Sequence, residues 1–85
     1  MKIAIIGAGG VRTPLIVESM VRRQERIGLT ELALMDIDPD RLDIIGALTA
    51  QFETSDQARF KITRTTDARR ALEKADFVIT TFRVG

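Results

Sequence analysis

The chain has 85 residues, 45% hydrophobic and 29% charged, which suits one small globular domain that buries roughly 60–65 % of its unfolded surface and is marginal alone. Lys and Arg number 13 against 12 Asp and Glu, a net charge of +1, so neither nucleic acid nor an anionic membrane is indicated as a partner. There is no cysteine and no histidine, which excludes disulfides, Cys/His zinc sites and nucleophile–histidine pairs within these residues.

The chain opens on KIAII, residues 2–6, an isoleucine-rich run that ends at Gly7. A parallel strand buried on both faces reads this way. The run is too short for a signal peptide or a membrane span, and a cytoplasmic protein is expected. Thr13-Pro14 then gives a helix start, Thr as N-cap and Pro in the first helical position. This helix is predicted to run to about Arg26, with Leu15, Val17, Met20 and Val21 as its apolar stripe and Gly28 ending it.

A second strand is predicted over ELALMDI, residues 31–37. Asp38-Pro39 repeats the start signal, and the helix that follows carries Leu42, Ile45, Leu48 and Phe52 at helical spacing. RFKIT, residues 59–63, alternates and reads as a third, more exposed edge strand. Asp67 caps a short helix to Lys74 with Ala68, Ala71, Leu72 and Ala75 inward, and DFVITTF, residues 76–82, is the fourth strand. The order β-α-β-α-β-α-β allows a right-handed crossover at each connection. The fold class expected is therefore α/β, a Rossmann-like doubly wound parallel sheet with strands in the order 3-2-1-4. The chain stops directly after its fourth strand, so residues 1–85 are expected to be the first part of a Rossmann domain in a longer protein.

The stretch IIGAGGVRTPLIV carries the first chemistry. Gly7 suits the tight turn out of the first strand, and Gly9 lets backbone approach a pyrophosphate. The following amides, those of Gly10 and Val11 among them, lie near a helix N-terminus where an anion is favoured. A plain strand-to-helix turn is the alternative for these glycines. Asp36 ends the second strand, where a carboxylate bonds the adenosine ribose and repels a 2′-phosphate, so NAD is preferred to NADP. Its distance from Gly9 exceeds the roughly 20 residues usual for this motif, as a long first helix requires. A surface carboxylate capping the next turn is the alternative, and Asp38 is better explained as the N-cap beside Pro39. The third glycine of the dinucleotide pattern is missing. Arg12 stands in its place, followed at once by Thr13-Pro14, which implies a later helix start and a polar loop along the rim of the crevice.

KIAIIGAGGVRTPLIV, ELALMDIDPDRL and ADFVITTFRVG together resemble the N-terminus of glycoside hydrolase family 4, and RTPLIV resembles most its 6-phospho-β-glucosidase branch. The resemblance covers nearly all of the chain and only the opening part of a family member. It implies hydrolysis by elimination–addition with NAD and a divalent metal, commonly manganese, and the family is an NAD-dependent exception to two-carboxylate glycosidases. Hydride leaves C3 of the sugar for NAD, a base removes the C2 proton, the aglycone departs, water adds and the hydride returns. The metal polarises the C2 and C3 oxygens. The family's metal ligands are a cysteine and a histidine and its base a tyrosine, and none of these residue types occurs in this chain. They are expected beyond Gly85, so the 85 residues alone should be inactive.

The resemblance also gives Arg83, in the segment R-V-G, a place near the substrate as a ligand for the sugar 6-phosphate, for which the guanidinium fork is suited. Arg12 is a second candidate, for the substrate phosphate or the pyrophosphate, with a solvated arginine as the alternative for both. Thr80 and Thr81 end the fourth strand, where cofactor ribose contacts are common in this fold, although strand propensity accounts for them more simply. The partner implied is a phosphorylated disaccharide or an aryl phospho-glycoside, with a homo-oligomer expected for the whole protein. Three alternatives stand beside this reading. They are another family 4 specificity (a 6-phospho-α-glucoside, α-galactoside or α-glucuronide), an NAD-dependent 2-hydroxy-acid dehydrogenase, and a non-catalytic NAD-sensing module.

Overall fold

A computed structural model of the chain describes residues 1–9, 13–55 and 57–81. The elements follow in the order β1 (Lys2–Ile6), α1 (Thr13–Ile27), β2 (Glu31–Met35), α2 (Pro39–Thr54), β3 (Lys61–Thr65), α3 (Ala68–Leu72) and β4 (Phe77–Thr80). Among the described residues the strands form one sheet in the order β3-β2-β1-β4, and every pairing is parallel. This is the doubly wound α/β order expected from the sequence.

The alternation of side chains along β1 and β2 separates two cores. In one register Ile3 faces Leu32 and Ile5 faces Leu34. These four residues build the larger core with Val17, Leu42, Ile45 and Phe52 from α1 and α2. The opposite parity puts Ala4 beside Ala33, and with Met35 they pack against Ala71 of α3. Branched residues thus face the two long helices, and small ones let the short helix lie close to the sheet.

The helix boundaries have local causes. Gly28 ends α1 with φ +62°, the left-handed conformation that glycine supplies at a helix C-terminus. Asp38 Oδ1 accepts from the amides of Asp40 and Arg41 at 3.0 and 3.4 Å, so it caps α2 as expected. Asp67 caps α3 by accepting from the Arg69 amide at 2.9 Å. No helix among the described residues is long and apolar enough to cross a membrane.

Several details depart from the sequence reading, and among them β2 ends at Met35 and β4 spans only Phe77–Thr80. Leu15 is 67% exposed and Leu48 is 48% exposed. The helices turn Thr13 and Val17, and Ile45, Thr49 and Phe52, toward the sheet instead. Leu72 also lies outward, while Ala71 takes the buried place on α3. The third strand begins two residues later than its alternation suggests, because its register is set by β2, with Glu31 opposite Lys61 and Met35 opposite Thr65. Thr13 is already helical, and its hydroxyl accepts nothing, so it does not act as an N-cap.

These exposures separate two leucines of one type. Leu34→Ala, at a side chain without solvent contact, is expected to lower the unfolding free energy by about 3 kcal/mol, and Leu48→Ala by less than about 1 kcal/mol. Urea unfolding followed by circular dichroism measures both, and equal losses would show that α2 is rotated from the orientation described.

Candidate functional site

The candidate site lies at the C-terminal ends of β1, β2 and β4. Strand order reverses at β1, which has β2 on one side and β4 on the other. In open α/β sheets a crevice forms at such a reversal. Here it is a recess of ≈ 440 Å³ lined by Ile6, Gly7, Met35, Asp36, Ile37, Asp38 and Thr81.

The glycine turn that forms one wall is fastened on both sides. The amides of Gly7 and Ala8 donate to the Met35 carbonyl, each at 2.8 Å. The Thr81 amide donates to the Ile6 carbonyl at 3.0 Å, and the Thr81 hydroxyl donates to the Gly7 carbonyl at 2.6 Å. Gly7 has φ +84°, and a Cβ there would come within 2.7 Å of the Thr81 carbonyl oxygen. Only glycine meets both conditions.

Asp36 is 2% exposed. Its Oδ2 accepts from the Gly9 amide at 2.7 Å and its Oδ1 from the Asp38 amide at 2.9 Å. The carboxylate therefore ties the turn after β1 to the turn after β2. Position 9 is glycine for the same reason, since an added Cβ would lie 2.6 Å from Asp36 Oδ2 and 2.8 Å from the Arg41 Cβ. Asp38 caps α2 and pairs through Oδ2 with Arg41 Nε at 3.3 Å.

The structure thus brings Gly7, Gly9, Asp36 and Thr81 together, with Thr80 exposed one residue away at the end of β4. Gly10, Val11, Arg12 and Arg83 lie outside the described residues. Four further features were not singled out from the sequence. Thr81 holds the turn through its hydroxyl. Ile37, between the two aspartates, is 83% exposed and offers the recess an apolar surface. Arg41 packs beside Gly9. Thr13 is fully buried in the first turn of α1, and its hydroxyl is the one buried side-chain polar atom among the described residues without a hydrogen-bond partner. Leaving a hydroxyl in that state costs about 1–3 kcal/mol.

Helical phase locates Thr13 with respect to the missing glycine. Val17 is fully buried and Thr13 lies one turn before it, equally buried. Thr13 therefore shares with Val17 the face of α1 that packs inward, the kind of contact that the third glycine serves in dinucleotide folds. Counting along the sequence puts Arg12 in the third glycine's place, and Arg12 lies outside the described residues.

The residues present fit a ligand carrying phosphate and ribose. The first turn of α1 contains no acidic side chain, so its positive end is not neutralised there, whereas α2 has Asp40 in its first turn and Asp38 as cap. A buried hydroxyl without a partner adds a donor at the same end of α1. Among the described residues no group of three or more Cys, His, Asp or Glu is arranged to hold a metal ion.

Parallel sheet, strand order and a glycine turn paired with an acidic residue at the switch point define a Rossmann-like fold. The sequence profile described as Family 4 glycosyl hydrolase matches residues 2–85, and the chain belongs to that family. It is 39% identical over 87 residues to the "Probable 6-phospho-beta-glucosidase" of Bacillus subtilis (strain 168), covering 100% of this chain and 20% of that protein. The crystal structure of a 6-phospho-alpha-glucosidase from gut microorganisms in complex with NAD and glucose-6-phosphate matches with a TM-score of 0.90 and 28% identity, over 100% of this chain and 19% of that one. The 6-phospho-beta glucosidase of Thermotoga maritima with manganese, NAD+ and glucose-6-phosphate matches with a TM-score of 0.85 and 29% identity, over 100% of this chain and 20% of that one. The chain spans about one fifth of the length of the curated relatives it matches.

The turn geometry predicts that Gly9→Ala lowers the unfolding free energy of the ligand-free protein by about 1–3 kcal/mol, because Asp36 and Arg41 are both held by the contacts that the methyl would displace. Gly28→Ala, with nothing within 4 Å of the added carbon, is expected to lose only the left-handed backbone penalty of about 1 kcal/mol. Thermal unfolding without added nucleotide gives both values, and a harmless Gly9→Ala would contradict the described approach.

Proposed function

We propose that this chain is the NAD-binding part of a glycosidase that depends on NAD and a divalent metal and hydrolyses 6-phospho-β-glucosides. The observation that carries the nucleotide reading is the single recess where Gly7, Asp36, Ile37 and Thr81 meet at the reversal of strand order. Membership of the family, with relatives whose names specify 6-phospho-glucosidases, supports the reaction class.

In this reading Asp36 accepts from the adenosine ribose at the mouth of the recess. An ionised carboxylate has about four acceptor sites, so a hydroxyl contact is compatible with the amide bonds from Gly9 and Asp38. Its charge repels a 2′-phosphate, which selects NAD over NADP. Ile37 supplies an apolar surface for the adenine. Thr81 keeps the glycine turn in place, and Thr80, exposed beside it, contributes a hydroxyl to the cofactor. The amides of Gly10 and Val11 serve the pyrophosphate. NAD supplies a hydride acceptor and donor for the sugar, so the overall hydrolysis involves no net oxidation. Arg83 binds the sugar 6-phosphate, and Arg12 assists with that phosphate or with the pyrophosphate. The metal, manganese in this reading, is held by residues that follow position 85 and polarises the sugar oxygens. The protein works in the cytoplasm as a homo-oligomer.

A second reading has a specific observation in its favour. The likeness to the 6-phospho-alpha-glucosidase structure, TM-score 0.90, makes the 6-phospho-α-glucoside the alternative substrate within the same family.

With the whole protein, a nitrophenyl 6-phospho-β-glucoside is expected to be hydrolysed when NAD and Mn²⁺ are present, and the 6-phospho-α-glucoside much more slowly. Removing either NAD or the metal by dialysis against a chelator should abolish turnover. Activity that survives the loss of both refutes the mechanism, and preference for the α-linked substrate replaces it with the alternative. Arg83→Ala is expected to raise KM for the phosphorylated sugar at least tenfold while Kd for NAD changes less than about twofold, the fold-change of one charge-assisted contact. Equal effects in steady-state kinetics and calorimetry would remove Arg83 from the phosphate.

A further inference from the structure

We propose that the hydroxyl of Thr13 is a hydrogen-bond donor to a phosphoryl oxygen bound at the N-terminus of α1. The inference rests on the nucleotide reading above and adds to it a residue that the dinucleotide pattern does not contain. Two helical threonines are fully buried, Thr13 and Thr49. Thr49 resolves its burial in the ordinary way, donating to the Gly46 carbonyl within its own helix at 3.3 Å. Thr13, the first residue described in α1, makes no such bond. Its hydroxyl is left without a partner among the described residues.

Valine has the shape of threonine without the hydroxyl and would pack there with no polar atom to satisfy. Glycine would serve the close helix–strand contact that this position makes in dinucleotide folds. A threonine that bonds nothing in the ligand-free molecule carries a cost that both alternatives avoid. A ligand oxygen arriving at this end of the helix removes that cost. The chemistry required of the ligand is a hydrogen-bond acceptor with negative charge, since the helix end is positive and its first turn contains no acidic side chain. A phosphoryl group meets both demands. It has two possible sources, the pyrophosphate of the dinucleotide and the 6-phosphate of the sugar.

The test uses the whole protein and the variants Thr13→Val and Thr13→Ser, with thermal unfolding in the absence of ligand and calorimetric titration with NAD and with glucose 6-phosphate. The valine variant is expected to unfold at or above the wild-type temperature without ligand and to bind one of the two ligands about tenfold or more weakly, the fold-change of one charge-assisted hydrogen bond. The serine variant, which keeps the hydroxyl, should restore most of that affinity even where loss of the methyl lowers its unfolding temperature. Weakened NAD binding assigns the pyrophosphate, and weakened sugar binding assigns the 6-phosphate. Unchanged affinity for both ligands overturns the proposal, as does a valine variant that unfolds well below wild type. Wild-type protein that binds no NAD overturns the nucleotide reading itself, whereas wild-type binding with an unaffected valine variant overturns only the role of Thr13.

Discussion

Everything at the candidate site depends on how the turn after β1 is tied to the strands on either side. The Met35 carbonyl takes the amides of Gly7 and Ala8, Asp36 takes the amide of Gly9, and the Thr81 hydroxyl takes up the carbonyl of Gly7. A loop of three small residues has little packing of its own to define it. Hydrogen bonds from both neighbouring strands supply that definition, and the two glycines are what allow the partners to come so close. The amides of residues 7–9 are consequently all committed within the protein. A pyrophosphate at this site would have to be met by the amides that follow and by the first turn of α1.

Asp36 has two consequences in this arrangement. Its carboxylate closes the loop region at the tips of β1 and β2, and it lines the recess that the ribose would enter. A group that is buried, charged and bonded to two backbone amides holds its position before any ligand arrives, so little reorganisation is needed on binding. The two cores support this from below. Branched side chains fix β1 and β2 against the long helices α1 and α2, and the alanine face lets α3 approach the sheet closely. The strand ends that carry Gly7 and Asp36 are thereby held in register.

Much of this was legible in the sequence because its causes are local. A proline beside an aspartate marked α2, Gly28 marked the end of α1, and isoleucine and leucine runs marked β1 and β2. Connection lengths allowed a crossover at each step, and the sheet order followed from the doubly wound class. What escaped was set by phase and register. Leu15 and Leu48 look like core residues, yet each lies off the buried face of its helix. Thr49 takes an inward place because its hydroxyl bonds back to Gly46, an option that a count of apolar residues does not register. β3 begins where β2 offers a partner, which its own alternation does not encode. At the site, the pairing of the glycine turn with an acidic strand end was readable as a motif. That Asp36 bonds Gly9, and that Thr81 clamps Gly7, required knowing which strand ends meet across separations of 27 and 74 residues.

The clamp from Thr81 bears on any attempt to redesign cofactor preference. Glycine-rich turns are often treated as interchangeable cassettes between dinucleotide enzymes. Here the turn is bonded to the residue that directly precedes Phe82 and Arg83 in the chain. Transplanting a regular three-glycine loop would therefore disturb the end of the fourth strand as well as the turn itself. A change meant for the turn would be felt at the end of the fourth strand, and a useful redesign would have to alter the ends of the first and fourth strands as one unit.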